Sequence, residues 1–190
     1  MAASGPTRKR SSSSTRYKID GPPKGESFLW VTLAMLSSPA WHELIRHRVA
    51  HLVVERIIVE HGRHAGKDNG RLIVAYDDFV HDCSVGRAHL KEGIAIAEAL
   101  GFIVVHRGRP SKHRRPPHRY ALTHRAIYDE AATNDWAHIQ TRAEAEAIVA
   151  RVKTTLAEGA EAKTKRKVTS PSTVPDMGGE KNVEAETGTD

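Results

Sequence analysis

From Trp41 to Ile57 the apolar positions Leu44, Ile45, Val49, Leu52 and Val53 recur every three or four residues. That period gives a helix one buried face. Ser38 followed by Pro39 is a start signal: a hydroxyl that accepts from the first turn, then a ring that needs no N–H there. The pattern predicts a helix from Ala40 to about His61, stopped by Gly62 and Gly66. His64 to Gly70 has the composition of a turn. Before the helix, Phe28 to Leu36 is apolar enough to be ordered.

The period then changes. Arg71 to Ala75 reads as a short strand, and Asp77 as the cap of a short helix to about Asp82. Cys83-Ser84-Val85 forms a turn, with Ser84 as the cap of a second helix from Val85 or Gly86 to Leu100. Leu90, Ile94, Ala97 and Leu100 share its core face, and Gly101 ends it in a left-handed cap. Phe102 to His106 and Arg119 to Leu122 are strands of a hairpin. A short helix, a tight turn, a second helix and a hairpin make a winged helix-turn-helix. The expected class is α+β, mainly helical, with that domain at 28–128. An accessory segment at 129–158 carries one more helix, Arg142 to about Leu156. Low apolar density predicts disordered ends at 1–27 and 159–190.

Charge adds direction to this layout. The chain carries a net +6. The net charge is +4 over 1–27, +6 over 28–128 and −4 over 129–190. Residues 101–128 alone carry +7, and 102–125 contain no Asp or Glu. A one-signed loop between two strands cannot pack into a core and presents its charge to a polyanion.

The candidate DNA contacts follow. On the second helix, Ser84, Arg87, His89 and Lys91 lie away from the core face, Arg87 suited to guanine and Lys91 to guanine or phosphate. In the hairpin, Arg107, Arg109, Lys112, Arg114, Arg115 and Arg119 are candidates for phosphate. The plain alternative is a solvated helix face beside a solvated charge run.

Five short stretches carry a family resemblance: Ser38-Pro39-Ala40-Trp41, Gly66-Lys67-Asp68-Asn69-Gly70-Arg71-Leu72, Tyr76-Asp77-Asp78-Phe79, Ala99-Leu100-Gly101-Phe102 and Arg119-Tyr120-Ala121-Leu122-Thr123. In this order, over about half the chain, they resemble winged-helix proteins of alphaproteobacterial genomes. These are similar to the DNA-binding domains of plasmid replication initiators. The resemblance implies DNA binding, in transcription regulation or in replication.

Other chemistry finds less support. The single Cys83 allows no internal disulfide and no thiolate zinc cage. His47 and His51 could share a helix face, and His81, Cys83 and His89 are near in sequence, but no carboxylate or further ligand falls into an obvious closing position for either set. Cys83 lacks an orienting acid at a recognisable spacing, so no enzyme and no cofactor are expected. Double-stranded DNA is the expected partner, with a homodimer possible and an RNA- or protein-binding module as the alternative class. Few aromatics (5%) argue against stacked single-stranded RNA. No run is long enough to span a membrane, and a cytoplasmic, nucleoid-associated location is expected.

Overall fold

The computed structural model describes residues 31–108 and 116–169. The protein is α+β and mainly helical. In chain order come α1 (Leu33–Leu36), α2 (Pro39–Leu44), α3 (Arg48–Arg63), β1 (Leu72–Ile73), α4 (Tyr76–Cys83), α5 (Arg87–Ala99), β2 (Ile103–His106), β3 (Arg119–Leu122), a 3-10 turn (Asp135–His138) and α6 (Arg142–Thr169). The three strands form one antiparallel sheet in the order β1-β3-β2.

The start signal at Ser38 acts as expected. Its Oγ accepts from Trp41 N at 3.1 Å, donates to Met35 O at 2.7 Å, and Pro39 takes the first helical position. The single helix expected from Ala40 to His61 is instead two. His47 leaves helical geometry (φ −105, ψ 79), and the buried Glu43 lies 3.0 Å from both Arg46 and His47. The break lets each helix turn its own apolar face inward, Ala40 and Leu44 on α2, Val53, Val54 and Ile57 on α3. At the other end α3 runs through Gly62 and stops at Arg63. Ala65 (φ 52) and the expected Gly66 (φ 73) both take the left-handed conformation there, and Gly66 N donates to His61 O at 3.0 Å.

The strand expected over Arg71–Ala75 shrinks to Leu72–Ile73. Leu72, Val105 and Tyr120 face the core, where Phe79 meets Tyr120 edge-on at 6.1 Å between centroids. Ile73, His106 and Arg119 lie opposite one another on the exposed face.

The junction between α4 and α5 departs from expectation twice. Asp77 does not cap α4; Ala75 holds that position, and Asp78 accepts the Ala75 N–H at 2.9 Å. Ser84 does not cap α5. It ends α4 in the left-handed region (φ 51), and Gly86 precedes α5 instead. The positive φ in this short turn falls on Ser84, in a region that non-glycine residues enter rarely. The almost fully buried Arg56 of α3 holds this junction in place, donating to Asp82 and Glu60 at 2.7 Å each. Leu90, Ile94, Ala97 and Leu100 of α5 are buried as expected.

Gly101 forms the expected cap (φ 76). Its N–H donates to Glu98 O at 3.0 Å, and Phe102 N donates to Ala97 O at 3.1 Å. A Cβ here would stand 2.6 Å from Trp136 N, so the glycine also seats the following segment. Trp136, Ile139, Ala145 and Val149 join the same buried cluster as the helices and sheet. The last helix continues to Thr169, past the expected end near Leu156 and into the stretch expected to be disordered. Residues 1–27 and 170–190 fall outside the described residues.

One buried group makes acid stability testable. Both ring nitrogens of His124 are buried and meet no hydrogen-bond partner among the described residues. Burial, with Arg125 and His61 nearby, pushes its pKa down to about 4. Burial also lowers that of His61. The folded state therefore refuses a proton that the unfolded chain accepts near pH 6.5. Stability is full above that pH and falls as pH drops toward about 4, by about 2–3 kcal/mol from His124. Thermal melts of His124→Phe should show a flatter slope between pH 6.5 and 4 than the wild type; parallel slopes would contradict the assignment.

Candidate nucleic-acid interface

The surface of α5 is set by what covers it. Glycine at position 93 lets α3 approach closely, since a Cβ there would stand 2.5 Å from Val49 Cγ1 and 3.1 Å from Val49 C. Helix α6 faces the second half of α5, where Ala95 and Ala99 lie across a groove from Ile148, Val152 and Leu156. Lys153 reaches Glu92 at 3.9 Å. What stays open is the first part of the helix. Arg87, Ala88, His89 and Lys91 are all exposed.

These side chains do not form one patch. At about 100° per residue, Arg87, Lys91 and Glu98 fall within roughly 40° of one another. His89 lies roughly 160° from Arg87 and from Lys91, with Ala88 between. It turns toward the start of α3, where it shares a cleft with Arg48. The expected single face is therefore two flanks around a small residue.

Ion pairs sort the candidates further. Arg87 is bonded to Asp77 at the start of α4, both well exposed. Arg107 makes a two-pronged bond to Glu98, at 3.1 and 2.5 Å, and that carboxylate raises its pKa. Arg107 thus ties the base of the hairpin to the last turn of α5. Among the described residues Lys91, His89 and Arg119 have no ion-pair partner. Ser84 is exposed in its turn. Arg119 stands on the outer sheet face opposite His106. Arg109, Lys112, Arg114 and Arg115 lie outside the described residues. Beside them, Gly108 packs so close to Pro116 that a Cβ would stand 2.5 Å from its Cγ, which brings the two arms of the hairpin together.

Sequence reasoning missed three residues that shape this surface. Asp77, read as a cap, holds Arg87. Glu98 holds Arg107, and a spacing of nine across a helix end gives no signal. Arg48 was absorbed into the long helix, although a break at His47 places it at a helix start.

Cys83 is not an open nucleophile. It packs against the core and points its Sγ at Leu52 O, 3.8 Å away, and burial pushes its thiol pKa up. His47 pairs with Glu43 and His51 with Glu55. Among the described residues no three His, Cys, Asp or Glu side chains are grouped so as to hold a metal ion, and no helix is long and apolar enough to cross a membrane. No family model, curated protein or solved structure matches the chain.

Proposed function

We propose that this protein binds double-stranded DNA as a winged helix-turn-helix, with α4 and α5 as the helix pair and the β2–β3 hairpin as the wing. The observation that carries this reading is the open first part of α5, beside a hairpin whose loop sequence is basic throughout. A helix of about 10–12 Å diameter fits a major groove of about 12 Å. Only the first turns of α5 are free to enter, because α6 covers the rest. Arg87 and Lys91 would then meet base edges, and the hairpin the adjacent backbone. A transcriptional regulator is the role we favour, in the cytoplasm on the nucleoid, and a replication initiator uses the same surface.

The pair between Arg87 and Asp77 refines the role of both. Both partners are exposed, so opening the pair costs less than about 1 kcal/mol. The acid holds Arg87 in place and repels phosphates from that spot. Asp77 thus suppresses non-specific binding more than specific binding.

Selection from a pool of random duplexes with the full chain should enrich one motif, and Arg87→Ala should lose preference at one or two of its base pairs. Enrichment of nothing, or equal binding to heparin, would overturn the reading. Asp77→Asn should bind a scrambled duplex about fivefold more tightly and the selected site little differently. Equal gains on both duplexes would remove the acid from specificity.

A further inference from the structure

We propose that the cleft between the start of α3 and α5 is a second phosphate-contact site, gripping the DNA backbone on the flank of α5 away from Arg87 and Lys91. The proposal rests on the DNA-binding reading and extends it by adding the start of α3 to the helix pair and the hairpin. The cleft has a volume of about 230 Å³.

Charge accounting singles out two of its side chains. Arg46 lines the cleft but is bound to Glu43 at 3.0 Å and Glu146 at 2.6 Å. His47 is bound to Glu43. Glu92, the one acid in the lining, faces Lys153 at 3.9 Å. Arg48 and His89 have no such partner among the described residues. They stand on two different helices at the mouth of one concave surface.

The backbone around them is braced by ion pairs and a close helix contact. Arg46 ties the α2–α3 corner to α6 through Glu146, which also holds Arg142 at 2.9 Å. Gly93 seats α5 directly on Val49 and Ala50. These contacts set the backbone at Arg48 relative to α5, and its side chain lines the same cleft as His89. A helix lying in the major groove has a phosphate wall on each flank. The hairpin lies toward one wall, and Arg48 with His89 toward the other. Opposed anchors of this kind fix the register of the helix without reading sequence.

The test measures duplex affinity of the full chain against salt concentration. Arg48→Ala should lower affinity about five- to tenfold on selected and scrambled duplexes alike, and reduce the salt slope by about 0.9. Arg48→Lys should restore the slope, because the charge returns. Arg48 is exposed, so neither variant threatens folding. Methylphosphonate substitution, one position at a time, then asks for direct contact. At one neutralised phosphate the wild type should lose about fivefold and Arg48→Ala nothing. Unchanged affinity and slope in Arg48→Ala, or losses that add at every phosphate, would overturn the site and leave DNA binding standing. A wild type that binds no duplex overturns both.

Discussion

Replacing Asn69 with Ala should cost about 3 kcal/mol of stability and lower the melting temperature by about 10–15 °C. Asn69 is almost fully buried between α3 and β1, and its amide completes the sheet where β1 is too short to do so. Nδ2 donates to Leu122 O at 2.9 Å, Arg125 O at 3.0 Å and Ala126 O at 3.2 Å, and Oδ1 accepts from Leu122 N at 2.7 Å. Alanine leaves a buried N–H and the buried Leu122 carbonyl without this partner, and an unmet buried group costs about 1–3 kcal/mol. Asn69→Asp should cost more, since it turns an acid toward three carbonyl oxygens. Denaturant titrations of both variants give the comparison. A shift under about 2 °C for Asn69→Ala would mean that water replaces the amide, which burial of the site opposes. The expected loss reaches the interface as well, because Leu122 ends β3 and so the second arm of the hairpin.

Asn69 also marks where sequence reading stops. A turn-rich stretch of Lys, Asp, Asn and Gly announces a loop, but nothing local says that one of its amides will bond to a strand 53 residues away. The same holds for Arg56. Its place inside an apolar pattern gives no sign that Asp82 and Glu60 will accompany it into the core. Features set by neighbouring residues were legible: the Ser38-Pro39 start, the Gly101 cap, the β3 boundaries and the buried stripe of α5. Features set by distant packing were not. The long apolar period across α2 and α3 hid a break, because both halves bury faces that continue one pattern. The turn at Ser84 was placed correctly, but its geometry was misassigned, since a serine fits a cap as readily as a left-handed turn. The two flanks of α5 were available from angular arithmetic alone. What the arithmetic lacks is Gly93, which decides that one flank faces α3, and α6, which decides how much of the helix stays open.

Reversing two charges in the hairpin loop, Arg114→Glu with Arg115→Glu, should weaken duplex binding by about two to three orders of magnitude on every sequence tested. Each phosphate contact releases a counterion, so losing two lowers the slope of log affinity against log salt by about 1.8. The added carboxylates then repel the backbone, and the loss is greatest at low salt, where screening is weakest. Arg107 would be a poorer choice for this test. Its bond to Glu98 fixes the hairpin base to α5, so replacing it mixes lost charge with lost position. Gel shifts or anisotropy at about 50 to 200 mM salt separate the outcomes. A loss confined to the selected site would assign these arginines to base reading in a groove. An unchanged affinity would remove the hairpin from the interface and leave α5 without a wing. A uniform loss with a shallower slope is what phosphate contact requires. Selectivity between two duplexes would then survive in the double variant even as both bind weakly, because the proposed interface assigns discrimination to α5 and phosphate contact to the hairpin.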